Sequence, residues 1–259
     1  MFRKGAMIFD SLKKIRLLLL LAFIFALGAC TSAALKQTLT GTGGVCYLDT
    51  TAGQFPKFPA PPLPGSDIDQ ADLKVLQAWQ AKRTAAECVQ ARAEARGNFE
   101  SLFGNVNPFS KPLPPEVAAF FKLIHADLDY AVGTLKDRYQ RPRPAWRGFG
   151  ITPCIDIIGG YAYPSGHTAN ARLFALILSD VAPERRAEFM ARADEAALNR
   201  VIGGVHYPSD IDAGKMLADE IYVELRKNPA FQRDVQSLRK YVVPPNIHSR
   251  RYAFPLLND

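Results

Sequence analysis

The sequence predicts an all-α protein: a single-domain helical bundle preceded by an irregular, proline-rich N-terminal arm. Apolar side chains repeat at intervals of three and four over most of the chain after residue 66, which is typical of amphipathic helices. Strand signals are few, because no stretch of six or more residues alternates convincingly with β-branched types. We therefore place the domain at residues 67–259 and expect its functional site at one end of the bundle.

The helices are predicted from their apolar stripes and from their end signals. Proline, Asp or Ser-Gly opens each of them, and Gly or Pro ends several. The predicted helices are residues 67–96, 116–139, 166–182, 184–205, 208–225 and 229–241.

The chain begins with a pattern typical of an export signal. Five Lys or Arg residues within residues 1–16 precede an apolar stretch at residues 17–26, which is too short to span a bilayer comfortably. Small residues then lead to Cys30, as in a bacterial lipoprotein signal. We expect residues 1–29 to be removed and Cys30 to be lipidated, which predicts a periplasm-facing lipoprotein of the bacterial cell envelope, sorted to the outer membrane. An ordinary signal peptide cut nearby is the alternative.

Residues 30–66 are predicted to form the arm between the lipid and the domain. Ser, Thr and Gly dominate as far as Gly53, and five prolines within residues 55–65 exclude a regular helix. The arm is either a free tether or a strap whose aromatic residues pack onto the domain.

Charge and cysteine content narrow the class of protein. The formal net charge is +7, but residues 1–29 carry five basic residues and one acidic residue, so the remainder has 27 basic and 24 acidic residues and a net charge of +3. This balance does not indicate a nucleic-acid partner. Cys46, Cys88 and Cys154 match no zinc pattern, and an exported chain permits one disulfide. We favour Cys46–Cys88, and three buried thiols are the alternative.

Three polar clusters between residues 136 and 210 carry the chemistry. Together they offer three cations, two histidines, one carboxylate and a Ser-Gly turn that can open a helix. The residues are Lys136, Arg143, Ser165, Gly166, His167, Arg200, His206 and Asp210. A phosphoryl group in transfer carries charge on three equatorial oxygens, which the protein must neutralise. The set therefore suits a phosphate monoester.

The cationic groups and the helix start are predicted to hold the phosphate. Arg143 and Arg200 can each offer a planar fork to two oxygens, and Lys136 can act as a point charge. Ser165 and Gly166 add backbone N–H groups and the positive end of a helix dipole.

The two histidines and the carboxylate are predicted to carry the catalysis. Neutral His206 can be the nucleophile if Asp210 holds its other ring nitrogen, and protonated His167 can donate a proton to the leaving oxygen. We expect Arg141 and Arg147 to be solvated loop charges, and His125 to be a surface or packing residue.

The spacing of these residues carries a resemblance. Lys136-x6-Arg143-Pro, Pro-Ser165-Gly-His and Arg200-x5-His206-x3-Asp resemble the tripartite signature of the type 2 phosphatidic acid phosphatase (PAP2) superfamily, and are most similar to bacterial class A non-specific acid phosphatases. The resemblance implies a metal-independent acid phosphatase, without a cofactor, that hydrolyses phosphate monoesters through a phosphohistidine at His206.

One residue departs from the family pattern, and two other functions are alternatives to the phosphatase. The family usually has Ser before the third-motif arginine, where this chain has Asn199, so we expect an altered rate or specificity rather than lost activity. A vanadate-dependent haloperoxidase and a non-catalytic phosphate-binding lipoprotein are the alternatives. The expected substrate is a small phosphomonoester, and a lipid phosphate is left open. A homo-oligomer is also left open. We expect the protein to contact the membrane only through the lipid anchor.

Overall fold

The computed structural model describes residues 47–49, 55–157 and 159–244. Within these ranges the chain is helical and forms no β-strand, which confirms the all-α prediction. The α-helices there are α1 (Asp67–Lys82), α2 (Ala85–Ala93), α3 (Phe99–Phe103), α4 (Pro115–Tyr139), α5 (Gly166–Val181), α6 (Arg186–Ile202), α7 (Pro208–Leu225) and α8 (Pro229–Leu238). Short 3₁₀ helices cover Pro144–Arg147, Pro183–Arg185 and Arg239–Tyr241.

The expected signal peptide at residues 1–29 and its Cys30 lie outside the described residues. Residues 55–66 of the arm are described, and they pack against the bundle. Phe55 and Phe58 are buried, and the backbone carbonyl of Pro59 accepts a hydrogen bond of 2.9 Å from the Tyr163 hydroxyl. This part of the arm is therefore a strap rather than a free tether.

The prediction of one helix over residues 67–96 is wrong, because the chain breaks at Arg83 and resumes as α2. The Thr84 hydroxyl accepts a hydrogen bond of 3.2 Å from the Glu87 N–H, and the Glu87 carboxylate accepts one of 2.6 Å from the Thr84 N–H. This capping box satisfies two backbone donors at once and starts a new helix.

The other five predicted helices are found, with their ends shifted by a few residues. Helix α5 is the centre of the bundle and packs against α4, α6 and α7. Its Phe174 meets Phe121 edge to face at 5.3 Å, and Phe121 stacks on Phe99 at 3.9 Å between ring centroids. Such aromatic pairs add about 0.5–1.5 kcal/mol each beyond the area they bury.

The connectivity brings four helix termini together at one end of the bundle. Lys136 lies near the C-terminal end of α4 and Arg200 near that of α6, while α5 and α7 begin at Gly166 and Pro208. All three polar clusters therefore meet at this end. Among the described helices, none is both long enough and apolar enough to cross a membrane.

Candidate active site

A cavity of about 250 Å³ lies at this end of the bundle. Six of the eight predicted site residues line it, and the other two, Ser165 and Asp210, are fully buried. The six lining residues are Lys136, Arg143, Gly166, His167, Arg200 and His206. The spacing in the sequence thus predicts a real assembly of side chains in space.

His206 is held as a neutral imidazole in a defined tautomer. Its Nε2 lies 2.7 Å from Nη1 of Arg143, and its Nδ1 lies 3.2 Å from Oδ2 of Asp210. Because a guanidinium can only donate, Nε2 must accept, and Nδ1 then carries the proton and donates it to Asp210. Burial lowers the pKa of His206 well below its usual value, and the charges of Arg143 and Lys136 lower it further.

The buried carboxylate of Asp210 accepts hydrogen bonds from three donor groups of the described residues. Oδ2 also accepts a hydrogen bond of 3.0 Å from the backbone N–H of Tyr207, and Oδ1 accepts one of 2.7 Å from Nη1 of Arg141. Burial raises the pKa of Asp210, whereas the charge of Arg141 and the Tyr207 N–H oppose that rise. The same interactions orient the carboxylate towards His206.

Arg143 is oriented by the backbone around it. The carbonyls of Gly159, Gly160 and Val205 accept hydrogen bonds of 3.1, 3.2 and 3.0 Å from its guanidinium. Burial lowers the pKa of Arg143. The fork is therefore fixed beside Nε2 of His206 before any ligand arrives.

Lys136 and Arg200 add two further cations to the cavity. Nζ of Lys136 donates to the carbonyl of Tyr161 at 2.5 Å, and Arg200 donates to the carbonyl of Ala91. Burial, followed by the charge of Arg143, lowers the pKa of Lys136 to about 8. Burial also lowers the pKa of Arg200 to about 10. Burial and neighbouring cations thus disfavour the charged forms of Lys136 and Arg200, and a bound anion would offset this effect.

His167 lies in the first turn of α5, between Gly97 and the cations. Its Nε2 is buried and forms no hydrogen bond with the described residues, and the same holds for Nε of Arg200. Burial lowers the pKa of His167 well below its usual value, and the charges of Arg200 and His206 add to this effect. Buried polar atoms usually have partners, so these two atoms indicate a ligand site.

Ser165 has a structural role in addition to its place beside the cavity. Its Oγ accepts a hydrogen bond of 3.3 Å from the backbone N–H of Thr168, and so caps α5. Its own N–H donates to the carbonyl of Asp210 at 3.0 Å. Gly166 is the first residue of α5, where backbone N–H groups have no acceptor within the helix.

Arg141 and Arg147 are not the solvated loop charges that we expect from the sequence. Arg141 donates at 2.9 Å to Asp72 and lies 3.4 Å from Asp69, both on α1. Arg147 donates to both oxygens of Asp69, at 2.6 and 2.8 Å. No local sequence pattern indicates these ion pairs, because they join segments about 70 residues apart.

His125 and Asn199 also differ from expectation. His125 lines the cavity instead of serving only as a surface or packing residue, and its Nδ1 lies 2.9 Å from Oδ1 of Asn170. Asn199 is buried and its Nδ2 donates to Glu94 at 3.0 Å. The comparison with Ser suggests that Asn199 would hydrogen-bond an oxyanion. In the structure its side chain instead binds the Glu94 carboxylate.

The disulfide joins Cys88 to Cys154, so the Cys46–Cys88 pairing is wrong. The bond ties α2 to the loop that follows the first 3₁₀ helix. The same loop is held by Arg83, which donates to the carbonyl of Thr152 at 2.6 Å. Gly159 and Gly160, whose carbonyls accept hydrogen bonds from Arg143, lie later in the same loop.

Comparison with known proteins agrees with this site. Residues 119–218, which include all three clusters, match the PAP2 superfamily. The chain is similar to the non-specific acid phosphatase of Salmonella typhimurium, with 30% identity over 216 residues, 78% of this chain and 86% of that protein. It is also similar to the non-specific acid phosphatase of Providencia stuartii, with 29% identity over 195 residues, 70% of this chain and 77% of that protein.

A solved structure shares the fold. The first bacterial vanadium-dependent iodoperoxidase has a TM-score of 0.53 and 19% sequence identity, over 68% of this chain and 53% of its own. At this identity the similarity concerns the arrangement of helices alone.

Proposed function

The chain belongs to the PAP2 superfamily and is a phosphatase, and we propose that it hydrolyses phosphate monoesters through a phosphohistidine at His206, without a metal ion. The observation that carries the proposal is the hydrogen-bonding state of the cavity. Nε2 of His206 is unprotonated and accepts from Nη1 of Arg143 at 2.7 Å, a bond that must break before the lone pair attacks phosphorus. Among the described residues, the buried Nε of Arg200 and Nε2 of His167 have no hydrogen-bond partner. A phosphate oxygen and a leaving oxygen supply the missing partners.

The first half-reaction forms the covalent intermediate. The lone pair on Nε2 of His206 attacks phosphorus, and the bond from phosphorus to the leaving oxygen breaks. Protonated His167 donates its proton to that oxygen, which leaves as an alcohol. The ring of His206 becomes cationic, and Asp210, which accepts from Nδ1 at 3.2 Å, stabilises this charge.

The second half-reaction releases inorganic phosphate. His167, now neutral, takes a proton from water, whose oxygen attacks phosphorus. The bond between phosphorus and Nε2 breaks, and the electron pair returns to His206. In both steps the negative charge on the equatorial oxygens is stabilised by three cations that line the cavity, Lys136, Arg143 and Arg200. Their three charges take the part that a metal ion plays in other phosphatases.

The electrostatics favour an acidic pH optimum. Burial, and then the charge of Arg200, holds the pKa of His167 well below its usual value. Bound phosphate brings negative charge to the same place and favours the protonated imidazole. His167 must begin protonated while His206 must be neutral, and two such coupled titrations give a bell-shaped profile.

The test is hydrolysis of p-nitrophenyl phosphate between pH 4 and 9, with and without EDTA, by the wild-type protein and by His206→Ala. We expect an acid-peaked rate that resists EDTA and is lost in the variant. Substantial turnover by His206→Ala would refute the nucleophile assignment, and a rate abolished by EDTA and restored by a divalent cation would refute metal independence.

We also propose that the protein is exported and anchored through Cys30. The supporting observations are the signal pattern at residues 1–29 and the Cys88–Cys154 disulfide, a bond that persists mainly in oxidising compartments. In the native host, Cys30→Ser is expected to move the protein from the membrane fraction to the soluble fraction. An unchanged distribution between the fractions would contradict the anchor.

A further inference from the structure

A continuous set of buried ion pairs runs from helix α1 to the nucleophile. Nη1 of Arg141 donates to Oδ1 of Asp210 at 2.7 Å, and Nη2 of Arg141 donates to Oδ2 of Asp72 at 2.9 Å. Asp210 in turn accepts from Nδ1 of His206. The side chain of Arg141 is 5% exposed, that of Asp72 is 4% exposed and that of Asp210 is fully buried. The three groups thus form a buried series of hydrogen bonds from residue 72 to the reacting imidazole.

Asp72 also holds the residue that precedes Asp210. Oδ1 of Asp72 accepts a hydrogen bond of 3.0 Å from the backbone N–H of Ser209, and Oδ2 accepts one from the Ser209 hydroxyl. The Ser209 hydroxyl accepts from Arg141 at 2.8 Å. Arg141 is further fixed by the ring of Tyr207, whose centroid lies 3.9 Å from the guanidinium carbon. Asp72 therefore constrains both the guanidinium and the backbone that carry the Asp210 carboxylate.

We propose that Asp72 and Arg141 are positioning residues for the phosphorylation step, acting through Asp210 on the tautomer and charge of His206. This inference rests on the proposed function. Arg141 keeps one oxygen of Asp210 engaged, so that the other oxygen accepts from Nδ1 of His206 and Nε2 stays unprotonated. Asp72 supplies the counter-charge that holds Arg141 in place.

The charge of the cluster agrees with this role. Asp69, Asp72 and Asp210 face Arg141 and Arg147, so in their charged forms the five groups sum to one negative charge. Phosphorylation at Nε2 gives the His206 ring one positive charge. The excess negative charge on the Asp210 side of the imidazole thus favours the cationic ring of the phosphorylated enzyme over the neutral ring of the unphosphorylated one.

The experiment compares Asp72→Asn with Asp127→Asn in the full protein. Asp127 is a matched control, because it is also a buried carboxylate that accepts backbone N–H bonds, among the described residues from Tyr47 and Leu48 at 2.9 and 3.3 Å, and it does not line the cavity. Rapid-quench measurements with radiolabelled substrate give the rate at which phosphoenzyme forms, and steady-state assays give kcat and KM. Thermal unfolding reports the stability of each variant.

We expect Asp72→Asn to slow phosphoenzyme formation and kcat by about 10-fold to 100-fold, by analogy with the loss that follows when a partner orienting a metal-bound histidine is removed. The amide places N–H donors against Arg141 and Ser209, and it removes the negative charge. KM changes little, because Asp72 does not contact the phosphate. Asp127→Asn lowers the unfolding temperature but leaves the phosphorylation rate of the folded protein unchanged.

Two results would overturn the inference. One is folded Asp72→Asn protein that forms phosphoenzyme at the wild-type rate, and the other is an equal loss of rate in Asp127→Asn. Both differ from a failure of the proposed function, in which wild-type protein turns over substrate without any phosphohistidine at His206, and which would remove the basis of this inference as well.

Discussion

Replacing Arg143 by lysine keeps one positive charge and removes the planar fork. In the structure the guanidinium donates to the carbonyls of Gly159, Gly160 and Val205 and to Nε2 of His206. A lysine ammonium is a single nitrogen with three donors, so it cannot reach these four acceptors in the way that the planar guanidinium does. The substitution therefore tests whether geometry, rather than charge alone, stabilises the transition state.

The expected loss of kcat follows from the removal of a guanidinium donor. Removing one charge-stabilising donor from a preorganised, water-excluded site lowers kcat by about 10²–10³-fold, or about 2.7–4 kcal/mol. We expect Arg143→Lys to lower kcat by this factor. We also expect KM to rise, because the fork binds the phosphate in the ground state as well.

The assay is steady-state hydrolysis of p-nitrophenyl phosphate at the pH optimum of the wild-type protein. Arg172→Lys is the matched control, since Arg172 makes a two-point contact with Asp219, at 2.8 and 3.2 Å, outside the cavity. The control is expected to keep the wild-type kcat. A kcat for Arg143→Lys within about threefold of wild type would show that a point charge suffices, and would refute the reasoning from the fork.

Three further predictions concern the binding cations, the packing of His167 and the disulfide. Phosphate inhibition is expected to weaken above pH 8, because the pKa of Lys136 is lowered to about 8 and the ammonium then loses its proton; Lys136→Arg should remove this step. Gly97→Ala is expected to lower kcat, because a Cβ would lie 3.1 Å from Nδ1 of His167, and to cost about 1–2 kcal/mol of stability because φ is +62°. Cys88→Ser is expected to lower the free energy of unfolding in urea by about 4 kcal/mol, since the disulfide joins residues 66 apart.

Each of these predictions has its own control or contrary result. If phosphate inhibition of Lys136→Arg still weakens above pH 8, the titrating group is not Lys136. For the packing of His167, Gly65→Ala introduces the same kind of backbone strain at φ +81° with nothing within 4 Å of the new Cβ, so it should lose stability and keep kcat. An unfolding free energy unchanged in Cys88→Ser would mean that the disulfide does not constrain the unfolded chain.

Much of the site was predictable because its motifs lie at helix ends. Lys136 is near the last turn of α4, and Arg143, seven residues later, directly precedes the first 3₁₀ helix. His206 and Asp210 flank the start of α7 in a single turn. Residue types at short, fixed spacings on regular structure determine such local geometry, so the sequence alone indicates the cations and the two histidines.

The supporting contacts were not predictable in the same way. Asp72 and Arg141 are 69 residues apart, and neither hydrophobic periodicity nor a local motif records that α1 packs beside the start of α7. From the sequence we therefore predict a solvated Arg141, whereas in the structure three carboxylates surround its guanidinium. The Cys88–Cys154 pairing is of the same kind, because cysteine spacing leaves several connectivities open.

The break between α1 and α2 has a different cause. The Thr84-x-x-Glu87 signal is present in the sequence, but the helix-forming residues on both sides make a continuous helix the simpler interpretation. The capping hydrogen bonds outweigh that propensity, which is weak for each residue.

The most direct test of the account is the chemical identity of the covalent intermediate. Wild-type protein is mixed with substrate, quenched within the first turnover at alkaline pH to preserve phosphohistidine, digested and mapped by mass spectrometry. The account predicts phosphate on His206 alone, and none in His206→Asn. Phosphate on Ser165 or His167, or turnover without any covalent phosphate, would contradict it.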